Sequence, residues 1–208
     1  MRPRAVIFDL DGTLYDKARL PLRVVAADWS HLFYLRADRY ARKDLMGKDF
    51  GTEQAFYDAL FRQMRTHIRI RVEDKWVREW FSGTYMPVIA RTLKRHYRLR
   101  PWVPELFRQL REQGIRTAVF SDYSAVPEKL QALGFDPSWA DVIADAPSLG
   151  GLKPSPASFL RLTERLGVPP QQCLMVGDRD DTDGAGARAV GMSFLHITGP
   201  EPPQIPMD

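Results

Sequence analysis

The run Val6-Ile7-Phe8-Asp9-Leu10-Asp11-Gly12-Thr13 places two carboxylates two residues apart where an apolar stretch ends. Alternate residues of a strand face the same way, so Asp9 and Asp11 form an acidic pair at the mouth of a buried strand. Two carboxylates a few ångströms apart repel, and one takes a proton unless a cation intervenes. A divalent cation removes that penalty, and Mg²⁺ takes a few protein oxygens while keeping several waters. Three more polar segments accompany the pair: Ser121 to Ser124, Gly151 to Pro156, and Gly177 to Asp183. Asp178 can join Asp9 as a carboxylate ligand, and the backbone carbonyl of Asp11 can add a third oxygen. Lys153 supplies a positive point charge for a carboxylate and a phosphate. The Ser121 hydroxyl and the amides after it can bind phosphate oxygens. Together these groups suit phosphoryl transfer to a carboxylate, with an acid on hand to protonate the leaving oxygen.

Bringing the four segments together requires a sheet. Residues 4 to 10 predict a buried strand closed by Gly12. After Pro101, helix and strand alternate. Val103, Leu106, Phe107 and Leu110 recur at helical spacing and Gly114 ends that helix. Strands are predicted at 115–120, 142–146, 173–178 and 192–197, with helices at 126–133, 156–166 and 184–190 between them. Such alternation implies parallel βαβ units, a doubly wound α/β core. Each polar segment then ends or follows a strand, at the carboxyl edge where such sheets bind ligands.

Residues 16–99 read differently. Apolar residues there recur at helical spacing, as in Phe56, Leu60, Phe61 and Met64, then Trp76, Val77, Trp80 and Phe81. About four helices are expected, broken near Gly47–Gly51 and near Gly83. This block leaves the core just after the aspartate pair, as a cap over the site. The domain expectation is therefore a core of residues 1–15 and 100–208, and a helical cap of 16–99. The Pro-rich tail, from Thr198 onward, is expected to wrap loosely or to be disordered.

Composition excludes several alternatives. The 208 residues carry 30 Lys and Arg against 26 Asp and Glu, a net charge of +4, and the arginines are scattered among acids. With no basic stripe interleaved with aromatics, no nucleic-acid partner is expected. No run approaches the ~20 apolar residues of a membrane span, and residues 1–12 lack the apolar stretch of a signal peptide. The one cysteine, Cys173, sits in an apolar strand-like run and reads as a small buried hydrophobe in a reducing compartment. A cytoplasmic location is the simplest expectation.

The motifs together resemble those of the haloacid dehalogenase (HAD) superfamily. Asp9-Leu10-Asp11-Gly12-Thr13 looks like its first motif, Ser121 after Ala118-Val119-Phe120 its second, Lys153 its third, and Met175 to Met192 its fourth, in the family's order. The resemblance implies a Rossmann-like HAD core with a C1-type helical cap, similar to the phosphoglycolate phosphatases. It also implies roles. Asp9 would be the nucleophile and Asp11 the acid and then the base. Thr13 and Ser121 would touch the phosphate or orient Asp9, and Lys153 would balance charge. Mg²⁺ would be held by Asp9, Asp11 and Asp178. Of Asp180, Asp181 and Asp183, aligning the small residues after the fourth motif puts Asp183 behind the metal ligands, with Asp181 left as the alternative. Asp180 and Asp181 read as a solvated loop.

The superfamily's dehalogenases lack an acid at the position of Asp11, because halide leaves without a proton. Asp11 therefore favours a phosphatase acting on a small phosphorylated metabolite. A phosphomutase of the β-phosphoglucomutase type is the alternative, told apart by its product. Asp122 departs from the asparagine common in relatives, and its role stays open, as do substrate and oligomeric state. Tyr15, Lys17, Arg19 and Arg23 are candidates to face the cleft from the cap side.

Overall fold

The computed structural model describes residues 2–68 and 72–207; residues 1, 69–71 and 208, which the domain expectation includes, lie outside the described residues. Five strands form one parallel sheet in the order β3-β2-β1-β4-β5. They are β1 (Ala5–Phe8), β2 (Arg116–Ser121), β3 (Val142–Asp145), β4 (Cys173–Gly177) and β5 (Ser193–His196). β1 is central and wholly buried, as its unbroken apolar run requires. Its alternation feeds two cores. Val6 and Phe8 face one side, where Phe8 meets Phe107 of α6 (Val103–Glu112) at 4.8 Å between ring centroids. Ala5 and Ile7 face the other, with Phe159 and Leu162 of α8 (Pro156–Leu166) and Ala187 of α9 (Ala185–Ala189).

The chain runs from β1 outward to β2 and β3, then returns to place β4 on the other side of β1. The strand order reverses there, which opens a crevice at the carboxyl ends of β1 and β4. In register, Phe8 is level with both Val119 and Val176. Asp9 and Ser121 thus leave neighbouring strand ends, as do Asp9 and Asp178.

Between β1 and α6 lie α1 (Leu20–Ala27), α2 (Leu32–Leu45), α3 (Glu53–Thr66), α4 (Asp74–Trp80) and α5 (Met86–His96). The expected break at Gly47–Gly51 is present. The one near Gly83 is not, because Phe81–Tyr85 forms a π-helical turn that joins α4 to α5. The widened turn lets Trp80, Phe81 and Tyr85 all be buried. The cap's apolar residues merge with the core on the Val6–Phe8 face into one cluster. Helix starts use proline, which fits the first turn because its missing N–H is unbonded there anyway; α1, α5, α6, α7 (Val126–Leu133) and α8 all do so. The tail is seated rather than loose: Ile205 is buried, and the Pro200 carbonyl accepts from Trp102 Nε1 at 2.9 Å.

Candidate active site

The turn after β1 builds the first half of the site. Asp9 is buried, its Oδ2 accepting from Thr13 Oγ1 at 3.1 Å and its Oδ1 from Lys153 Nζ at 2.8 Å. Gly12 has φ +105°; a Cβ there would overlap the Asp178 carboxylate and lie 2.8 Å from Lys17 Nζ. Only glycine allows both this backbone and that approach. Arg100, where the chain returns from the cap, holds the turn from outside through the carbonyls of Thr13 (2.9 Å) and Gly12 (3.1 Å).

Lys153 is the hub. Its buried ammonium also donates to Asp183 Oδ1 at 2.6 Å and to the Phe120 carbonyl at 3.2 Å. A buried ammonium survives only when paired and hydrogen-bonded, and two carboxylates and a carbonyl meet that need. Asp183 and Asp9 in turn raise the Lys153 pKa against the effect of burial. The loop that carries Lys153 is held by Asp122, whose Oδ1 accepts from Lys153 N at 2.8 Å. This gives Asp122 a partner: its carboxyl accepts from a backbone amide of the loop that carries Lys153.

The π-helical turn Asp180–Gly184 before α9 decides between the acids of the last motif. It turns Asp183 inward and leaves Asp180 and Asp181 exposed, paired with Arg188 and Arg179. Gly177 permits this, since a Cβ there would overlap the Asp183 side chain. The predicted helix from Gly184 is accordingly shortened to Ala185–Ala189.

Asp9, Asp178 and Asp183 each bring a carboxylate oxygen within 4.8 Å of the others. Such an all-oxygen set suits a hard divalent cation. A cationic group stands in part of the cradle already: Lys17 Nζ lies 2.5 Å from Asp178 Oδ2 and 2.8 Å from the Asp11 carbonyl. The residues present therefore fit a metal. Asp183, expected behind the ligands, brings a carboxylate oxygen into the same cluster as Asp9 and Asp178. Burial pushes the Asp9 carboxyl up to about 7, aided by Asp183 and Asp11 and opposed by Lys153.

Asp11 enters this cradle with its carbonyl only. Its carboxylate turns aside, with Oδ2 accepting from Ser121 Oγ at 2.9 Å and from Lys129 Nζ at 2.5 Å, and Oδ1 from the Tyr15 hydroxyl. Burial raises its pKa, but the Lys129 ammonium, with help from the two hydroxyls, more than offsets this and holds it below the usual range. Ser121, expected at Asp9 or the phosphate, donates here to Asp11.

Lys129 was missed in the sequence, yet it carried a signal. With Val126, Leu130 and Leu133 it forms the inward stripe of α7, and all four are buried. A lysine inside an apolar stripe needs a buried acid as partner. Among the cap-side candidates, Tyr15 and Lys17 reach the site. Arg23 lies over the Tyr97 ring at 5.3 Å, and no contact between Arg19 and the site is present among the described residues. The cap's own reach is Arg42 of α2, held by both oxygens of Asp38 at 3.0 Å. Its Nη1 donates to the Asp122 carbonyl at 3.0 Å and its guanidinium lies 4.5 Å from the Tyr123 ring centroid.

Among the described residues no helix is long and apolar enough to cross a membrane. Cys173 is buried on β4, where burial pushes its thiol up to about 11.

Comparison of the sequence with known proteins finds a family match. A family profile described as haloacid dehalogenase-like hydrolase matches residues 3–191. A phosphoglycolate phosphatase from Aquifex aeolicus is 26% identical over 205 residues, covering 94% of this chain and 85% of that protein. A glyceraldehyde 3-phosphate phosphatase from Methanopyrus kandleri is 29% identical over 207 residues, covering 93% and 83%. Among solved structures, a 2-haloacid dehalogenase from Pseudomonas syringae superposes with a TM-score of 0.63 at 20% identity, covering 94% of this chain and 86% of that one.

Proposed function

The chain belongs to the haloacid dehalogenase-like hydrolase family, and on that premise we propose that it hydrolyses the phosphate monoester of a small metabolite through a phosphorylated Asp9. The core is taken as residues 1–15 and 100–208 and the cap as 16–99. Fold alone does not choose the reaction, since a dehalogenase shares it. The observation that carries the reading is the presence of Asp11, a second carboxyl two residues from Asp9, held by Ser121, Tyr15 and Lys129. Cleaving a phosphate ester needs a proton donor for the leaving oxygen, and carbon–halogen cleavage does not. The relatives named for phosphoglycolate and glyceraldehyde 3-phosphate support a small substrate.

Magnesium held by Asp9, Asp178 and the Asp11 carbonyl, with Asp183 in reach, would neutralise charge on the phosphoryl oxygens. An Asp9 carboxylate oxygen attacks phosphorus, and the bond from phosphorus to the ester oxygen breaks. Thr13 and Lys153 fix the Asp9 carboxylate for this attack, and Lys153 offsets the charge that gathers there. Once its carboxyl has turned from Lys129 and taken up a proton from solvent, Asp11 gives that proton to the leaving oxygen, then takes one from the water that attacks the phosphorylated Asp9. Inorganic phosphate leaves and the Asp9 carboxylate is restored. With three donors on its carboxylate, Asp11 is set up as the base of the second step. To act as the acid of the first, its carboxyl must turn from them toward the leaving oxygen.

The test is phosphate release from a panel of phosphorylated metabolites, with Mg²⁺ and with a chelator, for the wild type, Asp9→Asn and Asp11→Asn. Activity is expected only with metal, and in neither variant. Full turnover by Asp9→Asn would remove that residue as nucleophile. An isomerised sugar phosphate without free phosphate would replace hydrolysis by mutase chemistry.

A further inference from the structure

One cation in the acidic cradle has no part in the chemistry above. Lys17 is three residues before α1, in the segment leading from the site into the cap. Its Nζ sits 2.5 Å from Asp178 Oδ2 and 2.8 Å from the Asp11 carbonyl, and it reaches the space that a Cβ on Gly12 would enter. These are two of the oxygens that would hold the metal. An ammonium and a divalent ion cannot both contact them, since the two cations would repel at close range in a partly desolvated site.

We propose that Lys17 is a tethered cation that competes with the divalent metal for Asp178 and the Asp11 carbonyl, and so sets the metal affinity of the site. The inference rests on the metal-dependent reading above. Exposure separates Lys17 from the other two lysines of the site. The Lys129 and Lys153 side chains are each only 2% exposed, whereas that of Lys17 is 40% exposed. A buried ammonium released from its partner has nowhere to be solvated. Lys17 has water on one side and a flexible stem, so it can give up its place at small cost. Lys17 is also the sole ion-pair partner of Asp178 among the described residues. Without metal, it relieves repulsion from Asp9 and Asp183 and ties the cap linker to the end of β4. With metal, that tie is released.

The experiment is calorimetric titration of the full-length protein with MgCl₂, for the wild type, Lys17→Gln and Arg179→Gln, with thermal unfolding in chelator. Arg179 is next to Asp178 and pairs with exposed Asp181, so its variant makes the same charge change without vacating the cradle. Lys17→Gln is expected to bind Mg²⁺ about fivefold more tightly, the scale of a partly exposed ion pair, and to melt lower than wild type in chelator. Arg179→Gln should change the Kd by less than about twofold, since salt screens a charge outside the site. An unchanged Kd for Lys17→Gln, or an equal gain in Arg179→Gln, overturns the role of Lys17 and leaves the metal site standing. No Mg²⁺ binding by any of the three proteins overturns the metal reading and this inference together.

Discussion

The Lys129–Asp11 pair offers a sharp test of how the site is held. Lys129 is buried on α7, 2.5 Å from Asp11 Oδ2. Replacing it by Met keeps the apolar stem and removes the charge. Asp11 is then left part-buried with two neutral donors, Tyr15 and Ser121. Removing one partner of a buried ion pair costs about 3–5 kcal/mol. The remaining hydroxyls, and the option of protonating Asp11, favour the lower end, about 3 kcal/mol. For a chain of this length that is a Tm fall of about 6–12 °C. Asp11→Asn should also destabilise, because it strands the Lys129 ammonium. The double variant Lys129→Met/Asp11→Asn strands neither charge, so it should lose less than the sum of the singles, with a coupling of about 2 kcal/mol or more. The pH dependence has a fixed sign. The folded Asp11 carboxyl titrates below its ordinary value, so its contribution is full above the unfolded value and lost as pH falls through the folded one. The wild-type advantage over Lys129→Met should therefore hold at neutral pH and shrink below about pH 4. Urea denaturation of all four proteins at pH 7, repeated at lower pH, measures this. A coupling below about 0.5 kcal/mol would mean that the pair does not organise the site.

Three other outcomes follow from the same cradle. Burial raises the Asp9 carboxyl, which titrates together with Asp183, to about 7, so the pair retains a proton near neutral pH that metal ligation expels; calorimetry in buffers of different ionisation heat should show this release, diminishing at higher pH, and a release of zero at pH 7 would refute it. In the protein held in chelator, that raised value makes folding weaken as pH rises through about 7, and Mg²⁺ should flatten the decline in Tm. Gly12→Ala puts a Cβ into the Asp178 carboxylate at φ +105°, so it should cost about 1–3 kcal/mol of stability and abolish Mg²⁺ binding; a variant that binds Mg²⁺ normally would show that the turn adapts.

The elements were legible in the sequence because their causes are local. An unbroken apolar run made β1, helical spacing made α6 and α8, and the alternation of the two made a parallel sheet. Carboxylates at strand ends then had to share one edge, which is why Asp9, Lys153 and Asp178 could be named together. Gly83 misled, because a π-helical turn and a break share the same local signal, and only the packing of Trp80, Phe81 and Tyr85 separates them. The assignment of charges to partners came from tertiary structure alone. Asp183, which aligning the fourth motif already favours, meets Lys153 because a widened turn points it inward. Asp122 serves a backbone amide, and Asp11 belongs to Lys129 and Ser121 while Asp9 belongs to Thr13 and Lys153. Pattern and spacing establish which face of an element is buried. Which two buried charges meet depends on distances of a few ångströms between segments up to 144 residues apart, and those distances exist only once the chain has packed.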